Sequence, residues 1–167
     1  MRAVAARVGL TPPAVYEQFP GGKAELLRAV AIEGFGEIAG ALEQVAAGQD
    51  EPLLAIADAY WRFSTDEPAL YELMFHHGLE LVFATDDTPP QVRHGFAVLR
   101  RAIASRMGAG KVGRDVELIT EAWWASLHGV VSLALSNRVR PGPAHARLLV
   151  RTVTESLIGS IDTKEPR

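Results

Sequence analysis

The sequence predicts an all-α protein, and three observations carry that prediction. Alanine and leucine dominate, apolar residues recur three and four positions apart, and β-branched residues rarely alternate with polar ones. Proline and glycine then cut the chain into pieces of helical length, and no stretch predicts a strand.

Residues 2–8 form a short helix that stops at Gly9, whose tolerance of positive φ suits a helix C-terminus. Thr11 is placed to cap a second helix, with Pro12 at its first position where a missing N–H costs nothing. That helix runs to about Phe19, and Pro20, Gly21 and Gly22 break the chain. Ala24, Leu27, Ala31, Phe35, Ile38 and Leu42 then set out one apolar face of a long helix ending near Gly48. A helix from Pro52 to Thr65 follows and ends before Pro68, where the next begins. That next one carries Leu70, Leu73, Met74, Leu81 and Val82, with a bend near Gly78. Thr85 to Thr88 read as a loop, Pro89 to Met107 as a helix, and Gly108, Gly110 and Gly113 as a flexible connection. Two last helices, Arg114 to Asn137 and Pro143 to Ile161, flank Val139 to Gly142, and the tail from Asp162 is expected to fray.

Composition narrows the class of function. With 48% hydrophobic residues in 167, the chain can bury a core, and the absence of cysteine removes disulfides, thiolate nucleophiles and thiolate zinc sites together. No charge-free apolar stretch reaches the ~18 residues that cross a bilayer, and the start lacks a signal-peptide layout. A cytoplasmic protein without a membrane partner is expected. Net charge is −3, which excludes a uniformly basic nucleic-acid binder. Residues 1–30 nevertheless carry Arg2, Arg7, Lys23 and Arg28 against Glu17 and Glu25, so the acidic excess lies elsewhere. No phosphate loop, nucleophile elbow or carboxylate pair is present, so an enzyme is not expected. His76 and Glu80 stand one helical turn apart beside His77, but no further ligand follows at metal spacing; neither a metal nor a cofactor is expected.

Ala5, Ala6, Arg7, Val8, Gly9, Leu10 and Thr11 have the grammar of a helix-turn-helix, a pattern that a plain helical hairpin shares. The continuation from Val15 through Tyr16, Glu17, Gln18, Phe19, Pro20, Gly21, Gly22 and Lys23 to Leu27 resembles the recognition helix of the TetR family. The resemblance implies that the helix from Thr11 to Phe19 enters the major groove of an operator in double-stranded DNA, that Thr11 and Tyr16 hold phosphates through hydroxyls, and that Lys23 meets phosphate at a helix start. Phe19 is expected in the core. Pro12, Pro13 and Ala14 would stand nearest the bases, so specificity leans on Glu17, Gln18, thymine methyl contacts or DNA shape. Family members carry a whole helix before the position of Arg2. Its absence here would uncover Val4, Val8, Val15 and Leu26, and the natural chain is expected to begin further upstream or to have been shortened.

Farther along, Glu67 to Phe75 resembles the ligand-domain segment of TetR proteins, and Trp124, Ala125, Ser126, Leu127, His128 and Gly129 resemble the Trp-His-Gly signature of one subfamily. The implied fold is a truncated helix-turn-helix head with its linking helix over residues 1–47, a helical ligand-binding and dimerisation domain over 48–162, and a disordered tail over 163–167. Tyr60, Trp61, Met74, Phe75, Phe96, Trp124 and His128 are the ligand-pocket candidates, for a small apolar or amphipathic effector, although aromatic stripes at this spacing also pack as ordinary core. His128 needs a partner for its ring N–H, either a ligand or a helix carbonyl. The last two helices are apolar over much of their circumference and need burial on two sides. A four-helix homodimer interface is therefore expected through Ile119, Trp123, Leu127, Val130, Leu149, Val153 and Leu157. The expected function is a ligand-responsive repressor released from a palindromic operator; the competing reading is a helical binding or dimerisation module that does not grip DNA.

Overall fold

In the computed structural model, residues 1–75, 79, 81–83, 85–108 and 114–163 are described, and among them the chain is helical throughout, without a strand. A small head contains α1 (Arg2–Arg7) and α2 (Pro12–Gln18). The long α3 (Gly22–Ala46) leads from it into a bundle of α4 (Pro52–Asp66), α5 (Pro68–Met74), α6 (Pro90–Met107), α7 (Arg114–Leu135) and α8 (Pro143–Asp162).

The helix breaks fall where local chemistry demands them. Gly9 takes φ of +69° after α1, and proline stands at the first turns of α2, α4, α5, α6 and α8. One buried cluster joins the long helices: Phe35, Ile38 and Leu42 of α3, Leu53, Ile56 and Tyr60 of α4, Val98 and Ile103 of α6, Trp123, Leu127 and Val131 of α7, and Val150 of α8. Each such side chain contributes roughly 1.5–3 kcal/mol of burial. At the rim, Arg106 joins the α4 start to the end of α8 through Glu51 (3.1 Å) and Asp162 (2.6 Å).

Three boundaries differ from the sequence reading. The helix expected to run from Pro68 to Val82 stops at Met74, and residues 81–83 have no helical structure. Phe83 instead packs edge-on to Phe35 at 5.7 Å, and Leu79 is buried, so tertiary aromatic contacts override local propensity. The bend expected at Gly78 lies outside the described residues, as do Gly110, Gly113 and residues 164–167. Helix α7 ends at Leu135 rather than Asn137, because Asn137 adopts φ of +56°. The Arg138 N–H then bonds the Leu133 carbonyl (2.7 Å) and the Asn137 N–H that of Ala134 (3.0 Å), which closes a Schellman cap. Asp162 belongs to α8 and is held by Arg106, where fraying was expected. By length and composition the stretch Val116–Leu135 is apolar enough to cross a membrane. It carries Glu117 and Glu121, and it buries Trp123, Leu127 and Val131 in a bundle where α7 contacts α4, α6 and α8.

Candidate functional site

Two places in the fold concentrate candidate binding residues: the surface of α2 and a cavity deep in the bundle. On the head, Thr11 caps α2 by accepting from the Ala14 N–H (3.4 Å), and Val15 is buried, which turns Tyr16, Glu17 and Gln18 outward. Tyr16 is 50% exposed, and Lys23 and Pro13 are exposed as well, with Ala14 half-buried. Tyr16 and Lys23 thus face outward, while the Thr11 oxygen is engaged in the cap. The free N–H groups expected beside Lys23 are partly occupied: Glu25 accepts from the Gly21 N–H (2.7 Å), and the Gly22 N–H bonds the Phe19 carbonyl (2.9 Å). A phosphate there would rely on the lysine charge more than on the helix start. Of the residues expected to be uncovered, Val4 and Val8 are exposed, Val8 at 59%, but Val15 is buried and Leu26 is half-buried.

The cavity has a volume of about 660 Å³. Its walls are Phe35, Ile38 and Leu42 from α3, Tyr60 from α4, Met74 and Phe75 from α5, and Phe83 beyond it. Val92, Phe96 and Leu99 of α6 and Trp124 of α7 complete the apolar lining. Arg93, Arg100, Glu117 and Glu121 add charge on the α6–α7 side, where Arg93, Glu121 and Ala125 are exposed and Arg100 pairs with Glu117. Phe96 and Phe83 each approach Trp124, with ring centroids at 6.4 and 6.1 Å.

Behind the wall runs a chain of hydrogen bonds. The Tyr60 and Tyr71 hydroxyls are 3.0 Å apart, Tyr71 lies 2.8 Å from Nδ1 of His128, and His128 Nε2 lies 3.2 Å from Ser132 Oγ. Burial pushes the Tyr60 hydroxyl up to about 12, with the hydrogen bond to Tyr71 acting in the opposite direction. Burial likewise raises Tyr71 and holds His128 below its usual value, so the tyrosines stay protonated and the imidazole neutral at pH 7.

Of the residues the sequence pointed to, the cavity gathers Tyr60, Met74, Phe75, Phe96 and Trp124. Trp61 is not among its walls; it is buried, and its carbonyl accepts from Ser64 Oγ (2.7 Å). His128 also stands behind the wall, packed on Phe75 with centroids 4.2 Å apart. The sequence reading missed Arg93, Arg100, Glu117 and Glu121. A signal was available, since Arg93 and Arg100 share a helix face with Phe96, and Glu117 and Glu121 share one with Trp124. His76, His77 and Glu80 lie outside the described residues.

The expected subunit interface divides in two. Trp123 and Leu127, at 2% and 0% exposure, are consumed inside the subunit, and Trp123 Nε1 donates to Thr154 Oγ1 (3.1 Å). Ile119, Val130, Leu149, Val153 and Leu157 are half-buried against the core. The outward apolar face is made by Leu118, Ala122 and Leu133 of α7 and by Leu148 and Gly159 of α8. Burial within the subunit and between subunits selects the same residue types, so the sequence pattern does not separate the two faces.

A family profile described as "Tetracyclin repressor-like, C-terminal domain" matches residues 53–157. Among solved structures, one described as a candidate regulatory protein, SCO4313, shares 26% identity with a TM-score of 0.73, over 95% of this chain and 84% of that one. Another, a protein of unknown function from Rhodococcus sp. RHA1, shares 22% identity with a TM-score of 0.75, over 95% of this chain and 82% of that one, and supports the fold alone. No curated protein matches the chain.

Proposed function

This chain belongs to the tetracyclin repressor-like family through its C-terminal domain, and from that premise we propose that it is a cytoplasmic, homodimeric repressor that a small apolar molecule releases from a palindromic operator. The observation that carries the reading is α3. One unbroken helix begins beside Lys23, next to the outward face of α2, and twelve residues later supplies Phe35, then Ile38 and Leu42, to the cavity wall. A ligand that favours one position of α3 moves the head that α3 bears, and in a dimer it changes the separation of the two α2 helices. DNA affinity then falls by the difference in ligand affinity between the two arrangements.

The outward face of Leu118, Ala122, Leu133 and Leu148 supports a two-fold pairing of α7 and α8, with the small Ala122 letting the backbones approach. The test is anisotropy of duplexes selected from a random pool, read against salt and against a small molecule that co-purifies with the protein. A repressor gives affinity that falls steeply with salt and falls again with the bound molecule. The second reading, a ligand-binding or dimerisation module, draws on the exposed Val4, Val8 and Leu10 of the head, which leave α1 and α2 thinly packed. It stands if no duplex is enriched at low salt while the small molecule still binds.

A further inference from the structure

We propose that the cavity takes a neutral, largely aromatic molecule whose one hydrogen-bonding group docks on the Tyr60 hydroxyl, and that the chain Tyr60–Tyr71–His128–Ser132 reverses its direction to match either a donor or an acceptor there. The inference rests on the ligand-domain reading above and specifies its ligand.

Neutrality follows from the charges. Arg100 and Glu117 neutralise each other, and Arg93 and Glu121 are exposed, so no charged lining residue waits unpaired at the inner end. An ionised group carried inward would lose its water without gaining a counter-ion. Aromatic character follows from the walls, where Phe35, Phe75, Phe83, Phe96 and Trp124 offer ring faces and edges.

The polar contact follows from the hydroxyls. Two buried residues of the lining carry hydroxyls: Thr88, whose oxygen accepts from the Thr85 N–H (3.0 Å) in its own turn, and Tyr60, which has the Tyr71–His128–Ser132 chain behind it. Tyr60 has one donor and two acceptor positions. Tyr71 takes one of these, which leaves a position for a ligand whichever way the Tyr60–Tyr71 bond points.

The chain behind Tyr60 has two complete arrangements. In one, Tyr60 donates to Tyr71, Tyr71 donates to Nδ1, and Nε2–H donates to Ser132 Oγ; the Tyr60 oxygen then accepts from the ligand. In the other, Ser132 donates to Nε2, Nδ1–H donates to Tyr71, Tyr71 donates to Tyr60, and Tyr60 donates to the ligand. Each of the four groups keeps one proton in both arrangements, so nothing enters or leaves; only the hydroxyl rotations and the imidazole tautomer change. A neutral imidazole has one donor and one acceptor nitrogen, which is what makes reversal possible.

The test titrates the full chain calorimetrically with naphthol, acetonaphthone, methylnaphthalene and naphthoate, and follows the ring nitrogens of His128 by NMR, assigned by their loss in His128→Gln. Naphthol and acetonaphthone are expected to bind about tenfold tighter than methylnaphthalene, and Tyr60→Phe to erase that advantage. Naphthoate gains nothing. The tautomer carries its proton on Nε2 with naphthol and on Nδ1 with acetonaphthone, a readout on the unmodified protein that does not depend on the variant folding. If methylnaphthalene binds but neither advantage nor tautomer change is seen, this inference is overturned and the ligand domain stands. An advantage that persists in Tyr60→Phe moves the contact to Thr88 and overturns it too. If none of the four probes binds, the ligand-domain reading falls and takes the inference with it.

Discussion

The Tyr71 hydroxyl lies 2.8 Å from Nδ1 of His128 and ties α5 to α7 across 57 residues of sequence. Burial holds the His128 imidazole below its ordinary value of 6.5. Its unfolded counterpart therefore takes up a proton first as the pH falls, and between the two values the unfolded state binds more protons. The stabilisation is complete above about 6.5 and is lost as pH drops through the lower, folded value. Calorimetric melts from neutrality to about pH 5 should lose more Tm in the natural protein than in His128→Gln. Equal losses would mean that His128 titrates as it does in the unfolded chain.

Close approach of α3 and α5 at Gly34 predicts opposite outcomes for two glycines of one helix. A methyl at Gly34 would come within 2.9 Å of Leu70 Cδ1 and Met74 Sδ, whereas one at Gly40 meets nothing within 4 Å. Gly40→Ala should stabilise by roughly 0.5–1 kcal/mol through helix propensity. Gly34→Ala gains the same propensity but must displace buried Met74, for a net loss of about 1 kcal/mol. Urea midpoints with unchanged m-values decide the comparison, and a stabilised Gly34→Ala would show that α5 yields freely.

Helix positions were legible because proline and glycine signal ends, and the outward turn of Tyr16 and Lys23 follows the spacing around buried Val15. The end of α5 was not legible. Leu81 and Val82 keep helical periodicity, but the packing of Phe83 on Phe35 depends on a helix more than forty residues away in sequence. Nor did periodicity separate the two burial demands on α7. Trp123 and Leu118 are both apolar, and only the position of α8 decides that one is core and the other exposed.

Trp123 and Thr154 latch α7 to α8 inside that core. Thr154 Oγ1 accepts from the indole N–H and donates to the Val150 carbonyl (2.9 Å), so both its capacities are used in a buried place. Thr154→Val keeps the shape and strands the indole N–H, which should cost about 1–3 kcal/mol in chemical denaturation. Trp123→Phe in the same background should recover part of the polar penalty, because the stranded donor is gone; strict additivity of the two changes would show that the pair does not interact.

Exposed leucines on α7 should hold the subunits together. Leu118 and Leu133 are 62% and 44% exposed, so replacing both with Glu leaves the subunit core intact. Circular dichroism should stay unchanged while light scattering shows a monomer, since four carboxylates would face one another across the two-fold axis. A dimer of unaltered affinity would place the interface on another face.

Lys23 and Tyr16 are both exposed beside α2, but they should fail differently when altered. Lys23 acts by charge. Lys23→Gln should lower affinity for every duplex alike and reduce the slope of log K against log salt by about one per subunit. Tyr16 offers a neutral hydroxyl, so Tyr16→Phe should weaken binding by about 0.5–1.5 kcal/mol at each salt concentration and leave the slope where it was. Anisotropy titrations at three or more salt concentrations separate the two effects. A slope that changes with Tyr16→Phe but not with Lys23→Gln would mean that α2 approaches the duplex from another side.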